Sequence, residues 1–238
     1  MKKESVRKLW LVSFFAIAFG FVEACVVVYL RKIYYPDGFG FPLRGFIEPH
    51  ILGVEWIREF FTIVMLISVA MLAGKKFYER FAYFLYAFAV WDIFYYVFLK
   101  LILGWPDGFF TWDILFLIPI PWIGPWITPV ICALIMIVIA FLIIHFQDKG
   151  YKVRIELSEW VLFFIGVILV LYTWLYDYTK IIFGGGFAGK FFSLVENKEF
   201  IDVVSNYTPL NYHWGIYLVG VAFVIVGVWR FYRRTKIR

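Results

Sequence analysis

Six times along this chain of 238 residues, a run of mostly apolar residues recurs at about the length a helix needs to cross a bilayer. An α-helix rises about 1.5 Å per residue, so about 20 residues span a hydrocarbon core of about 30 Å. The first run, Leu9 to Leu30, holds a single charged residue, Glu23, in twenty-two positions. The predicted spans are 9–30, 56–74, 81–103, 122–146, 160–176 and 214–229. Apolar residues make up 63% of the chain and mean hydropathy is +0.83, too little polar surface to cover a water-soluble fold of this size. The reading is all-α: one integral membrane domain over 1–238, a polytopic bundle of about six spanning helices with a short broken or re-entrant segment near 113–121.

Ala16-Ile17-Ala18 has the small-x-small pattern of a leader cleavage site. Cutting there would leave another apolar stretch, Phe19 to Leu30, at the new terminus, so the first run reads as a retained helix. The two cysteines, Cys25 and Cys132, both fall in apolar runs and read as small packing residues, not as a disulfide or metal framework.

The net charge of +6 is distributed unevenly. With six spans, fifteen Lys and Arg fall on the side of the termini: Lys2, Lys3, Arg7 and Lys8, three at 75–80, three at 149–154, and the five of the C-terminal cluster. Seven fall on the other side: Arg31, Lys32, Arg44, Arg58, Lys180, Lys190 and Lys198. Lys100 lies within the third span. Positive loops stay in the cytoplasm, so both termini are expected there. The bias accounts for the basic pI without a nucleic-acid surface. The loops expected in the cytoplasm are short and leave no room for a nucleotide-binding domain. The longer segments at 31–55, 104–121 and 177–213 belong to the outer side.

Charged residues inside apolar spans are costly, roughly 2.5–3.5 kcal/mol each on insertion scales, so each needs a partner, a proton or a purpose. Glu23 lies about 21 Å along the first span and Asp92 about 16 Å along the third. Asp92, Tyr96 and Lys100 recur at i, i+4 and i+8, one stripe of acid, phenol and ammonium, with Tyr95 beside it. Ser13, Ala16, Gly20 and Glu23 share a face of the first helix, where small residues admit close approach. Arg58 and Glu59 begin the second span, and Asp113 sits at the outer rim. The candidate polar cavity is therefore Glu23, Arg58, Glu59, Asp92, Tyr95, Tyr96, Lys100 and Asp113, with Arg58 and Lys100 as counter-charges to the acids. A network that only fixes helix register is the competing reading.

A metal centre is a narrower version, with Glu23, His50, Glu59, Asp92 and His213 as ligand types suited to iron, manganese or zinc. The helical Glu-x-x-His pair of carboxylate di-metal proteins is absent, and Glu48-Pro49-His50 has the wrong spacing. Haem would have to use His50 and His213, both at loop edges. The sequence names no cofactor.

Residues 104–129 carry five prolines, at 106, 119, 121, 125 and 129, which stop or kink helices. The stretch Asp113 to Ile118 is too short to span and reads as a dip into the outer leaflet that breaks at Pro119 and Pro121. Broken backbone at membrane depth is tolerated only against protein or a wet cavity. Tyr35-Pro36-Asp37-Gly38-Phe39 and Trp105-Pro106-Asp107-Gly108-Phe109 are near copies, read as turns. Gly184 to Phe191 approaches a phosphate-binding loop, but Phe191 stands where a hydroxyl should reach magnesium, so that reading is rejected. An amphipathic stretch, Phe191 to Val204, is expected to rest on the membrane surface.

The segments FGFVEACVVVYLR, VWDIFYYVFLK and LGWPDGFFTWDILFLIPIPWIGP together resemble an uncharacterised family of prokaryotic multi-pass membrane proteins, over Phe19 to Pro129. The resemblance implies a prokaryotic cytoplasmic membrane and supplies no activity or site residue. Three functions stay open. One is a small transporter or channel-like protein with an outward-facing acidic site for a cation, proton or small polar solute. Another is a membrane enzyme, metal-dependent or not, acting on a lipid or isoprenoid head group at the outer leaflet. The third is a non-catalytic subunit of a larger membrane complex. Expected partners are membrane lipids and further copies or other membrane subunits, with no nucleic acid or nucleotide.

Overall fold

A computed structural model describes residues 1–43, 48–187, 189 and 197–237. Arg44 and Lys190 of the outer-side charge count, the end of the glycine-rich stretch and the first part of the amphipathic stretch lie outside the described residues.

Six long helices carry the apolar runs: α1 (Lys3–Tyr34), α2 (Pro49–Ala73), α3 (Phe77–Leu103), α4 (Ile127–Asp148), α5 (Leu157–Gly184) and α7 (Trp214–Ile237). Each is long and apolar enough to cross a membrane. A short helix, α6 (Lys198–Ser205), precedes α7 and buries Phe200 from one face. Most of the helices outrun the predicted spans; the exception is the fourth, expected from 122, which begins as helix only at Ile127 because residues 122–125 run as a strand. α2 starts at Pro49, where proline's missing amide costs nothing, and α5 runs on to Gly184.

The broken segment between α3 and α4 has a form that proline counting did not show. Strand β1 (Trp112–Phe116) pairs antiparallel with β2 (Trp122–Pro125), with a register shift between Ile114 and Phe116. Pro119 and Pro121 fall between the strands, where no ladder amide is required. Gly104 ends α3 in a left-handed conformation, φ +71°, suited to glycine, and its amide donates to the Lys100 carbonyl.

α3 is central, packing against α1, α2 and α4, and α5 packs along α7. Alanines at 16, 82, 87 and 140 are wholly buried at these contacts and bring the helices close. Gly20 permits the tightest approach of α1 to α3: a Cβ there would sit 3.0 Å from the Trp91 carbonyl oxygen. The α5–α7 crossing is built alike, with Gly166 and Gly220 each facing the other's carbonyl.

Outward faces carry large apolar side chains, among them Leu11, Phe14, Ile57, Phe60, Leu72, Leu101 and Ile168. Such a surface has no partner in water, and six helices wear it. The chain is an integral, multi-pass membrane protein.

Both termini lie at one end of the bundle. There Arg234 donates to both Glu159 carboxylate oxygens, at 2.9 and 2.8 Å, and Lys8 pairs with Glu79 at 3.3 Å. The Lys2 amide donates to Asp148 at 2.7 Å, tying the start of α1 to the end of α4. The β hairpin roofs the opposite end.

Candidate functional site

The polar site is assembled under that roof from three helices and the hairpin. On α2, Glu55, Arg58, Glu59 and Thr62 recur at i, i+3, i+4 and i+7, one continuous polar stripe on a mostly apolar helix. The stripe turns inward: Glu55, Glu59 and Thr62 are buried. Arg58 answers two of the acids. It donates to Glu23 of α1 through Nη1, and to Glu55 through Nη2 and Nε, at 2.7 and 2.8 Å. The second oxygen of Glu23 takes a longer bond, 3.4 Å, from the Thr62 hydroxyl.

A second ion pair closes the hairpin side. Arg31 of α1 donates to Asp113 of β1 at 2.9 Å, and the Tyr96 hydroxyl donates to the other Asp113 oxygen at 3.1 Å. The Arg31 guanidinium lies over the Trp105 and Phe39 rings, 3.7 and 4.1 Å from their centroids, a cation–π seat that replaces lost hydration. Its Nη1 has no hydrogen-bond partner among the described residues. Asp113 lies outside the six helical spans. Burial raises its pKa above the usual carboxylate value, against the opposing pull of Arg31 and the Tyr96 hydrogen bond.

Between these pairs lies a cavity of about 110 Å³, lined by Glu23, Glu55, Arg58, Glu59, Asp92, Tyr95, Arg31 and Asp113 together with apolar neighbours. Five carboxylates thus face two arginines. The arginines engage Glu23, Glu55 and Asp113. Glu59 and Asp92 have no ion pair among the described residues. Glu59 accepts the Leu117 backbone amide at 2.8 Å, which hangs the hairpin from α2. Asp92 Oδ2 is buried and has no hydrogen-bond partner among the described residues. A buried carboxylate oxygen left unsatisfied is expensive, so the site is chemically complete only with a proton, a cation or water beside it.

Of the eight residues predicted for a polar cavity, six line this one: Glu23, Arg58, Glu59, Asp92, Tyr95 and Asp113. Tyr96 stands behind Asp113 and acts through it. Lys100 is displaced from its predicted role as a counter-charge. Its ammonium folds back on the end of α3 and donates to the Gly104 and Pro106 carbonyls at 2.6 and 2.8 Å. The helix ends one turn beyond Lys100, and free carbonyls there draw a cation more cheaply than a buried acid a turn or two away. The predicted cation is instead Arg31, which sequence reading left among the loop charges because it ends an apolar run beside Lys32. Its one signal was position: a charge inside the last turn of a helix, level with an aromatic-rich rim.

The five metal-ligand candidates are not gathered. Glu23, Glu59 and Asp92 line the cavity, whereas His50 is exposed at the start of α2 and His213 packs edge-on against Tyr176, 4.2 Å between ring centroids. Among the described residues, no three of His, Cys, Asp and Glu form a group that could hold a metal ion. Comparison of the chain with models of protein families, with curated proteins and with solved structures finds no match.

Proposed function

We propose that the chain is a small membrane transport protein whose cavity carries an exchangeable proton or small monovalent cation on Glu59 and Asp92. The observation that carries this reading is the charge imbalance: two arginines serve three carboxylates, and the remaining two face the same cavity without a cation. An acid inside a membrane bundle with no counter-charge is the chemistry of proton relays and ion pathways. At about 30 Å³ per water, the space holds about three or four water molecules, well below the size of a drug-like solute pocket. Glu59 and Asp92 belong to separate helices, and among the described residues the cavity acids form no group that could chelate a metal ion. That spacing favours a weakly held, exchangeable occupant over a resident metal.

The remaining groups then divide into fixed and working parts. Arg58, held by two carboxylates, fixes α1 against α2. Arg31 and Tyr96 hold Asp113 and with it the roof. Glu59 joins the two parts, since one carboxylate both faces the cavity and holds a hairpin amide. With the positive-inside rule, the hairpin end faces outward and the cavity loads from the exterior of a cytoplasmic membrane.

The test is ion movement in liposomes reconstituted with the full chain and loaded with a pH-sensitive dye. An imposed pH gradient, or a pulse of Na⁺ or K⁺, is expected to move protons faster than in empty liposomes. Asp92→Asn and Glu59→Gln are expected to abolish that movement, and Lys100→Gln to leave it intact. A wild-type protein no faster than empty liposomes, or flux indifferent to both carboxylate variants, overturns the reading.

A further inference from the structure

At the opposite end of the bundle, where both termini lie, a crevice of about 720 Å³ opens between the first turns of α1 and α3 and the chain linking α4 to α5. Its walls carry six cationic side chains, Lys2, Lys8, Lys75, Lys76, Lys152 and Arg154, against three acids, Glu4, Glu79 and Asp148. The acids are already engaged. Glu4 pairs with Lys8 and Lys75, Glu79 pairs with Lys8 and takes the Lys75 amide, and Asp148 takes the Lys2 amide and the Ser5 hydroxyl. Lys2, Lys76, Lys152 and Arg154 are left with no ion pair among the described residues, and all four are exposed.

We infer that this crevice binds the phosphate head group of an anionic phospholipid. Four unpaired cations converging on one concavity make an anion site, since each positive charge near an anionic membrane surface contributes about 1 kcal/mol. A lipid is the source because of what surrounds the crevice. Phe77 is 66% exposed immediately beside Lys76, and Leu11, 62% exposed, continues the Glu4–Lys8 face of α1 (i, i+4, i+7) into the apolar span. A head group seated among the lysines places its acyl chains along that face. The crevice also lies where α1, α3 and α4 leave their apolar spans, the depth at which phospholipid head groups sit.

The inference stands apart from the transport reading, because the two sites occupy opposite ends of the molecule and use no common residue. Native mass spectrometry of the full chain in a neutral detergent tests it, with phosphatidylglycerol and phosphatidylcholine offered in equal amounts. Preferential retention of phosphatidylglycerol is expected, weakened about fivefold for each cation removed among Lys76→Gln, Lys152→Gln and Arg154→Gln. The charge-conserving Lys76→Arg and Lys152→Arg variants are expected to keep the preference. Removing the distant Lys32 and Lys180, exposed at the hairpin end of the molecule, by substitution with Gln should also leave it unchanged. Equal retention of the two lipids overturns the inference, as does a preference unaffected by the three Gln variants or equally reduced by the distant pair. Displacement of the lipid by millimolar inorganic phosphate assigns the crevice to the free anion and overturns the lipid source.

Discussion

Arg58 shows how one residue's worth depends on what its loss would strand. Its guanidinium serves Glu23 and Glu55, whose side chains keep 9% and 8% of their exposure. Replacing Arg58 with Met removes one charge and leaves two buried carboxylates facing each other. Breaking a buried ion pair from one side costs about 3–5 kcal/mol, because the orphaned charge cannot return to water. Arg58→Met is therefore expected to lower stability by that amount, read as the midpoint of denaturant unfolding in micelles. Adding Glu23→Gln and Glu55→Gln to the same chain should recover much of the loss, since the acids no longer need a cation. Lys100→Met is the contrast. Its ammonium meets two carbonyls at a solvent-facing helix end, where a hydrogen bond contributes about 0.5–1.5 kcal/mol. If Arg58→Met and Lys100→Met cost the same, the assignment of Arg58 as the buried hub is wrong.

Among the elements, the β hairpin decides whether the cavity is covered. Three helices hold it by one side chain each: Arg31 and Tyr96 on Asp113, and Glu59 on the Leu117 amide. On its far side, Gly124 lies against Trp174 and Tyr212, so close that a Cβ would meet the Trp174 ring at 3.1 Å. Glu59→Gln keeps a carbonyl oxygen to accept the Leu117 amide, while Glu59→Ala does not. The amide is partly buried, so losing its acceptor costs about 1 kcal/mol and speeds local opening about fivefold. Hydrogen exchange over residues 114–118 is expected to quicken by about that factor in Glu59→Ala and to stay near wild type in Glu59→Gln. Equal exchange in both variants would remove Glu59 from the roof. The hairpin was also the least legible element in the sequence. Five prolines in 104–129 announce a break, but a break is consistent with a broken helix as well as with a turn between strands, and two strands of four and five residues leave little alternation to read. Glu23, Arg58, Glu59 and Asp92 were legible because a charge in or at the start of an apolar run stands out; Glu55, which also lines the cavity, precedes the predicted second span and was missed. The pairing of Arg31 with Asp113, across 82 positions, carries no local signal.

At the scale of the whole molecule, the six spans were legible because hydropathy over about 20 residues reports the bilayer itself. Their ends were not, since α1 to Tyr34 and α5 to Gly184 continue as helix beyond the apolar slab, where capping and tertiary contacts decide termination. Six crossings put both termini on one side of the membrane, and the structure sets Lys149 at that end and Asp107 at the hairpin end. Which side is which rests on charge alone: the sequence assigns fifteen Lys and Arg to the side of the termini and seven to the other, and by the positive-inside rule we propose that the richer end is the cytoplasmic one. Both residues are exposed, so each can report by labelling. In a chain with Cys25 and Cys132 replaced by Ala, a membrane-impermeant thiol reagent applied to intact cells is expected to modify Asp107→Cys and to spare Lys149→Cys until the membrane is opened. Labelling of Lys149→Cys alone in intact cells would invert the molecule. The acidic cavity would then load from the cytoplasm, and the basic crevice would face the opposite leaflet.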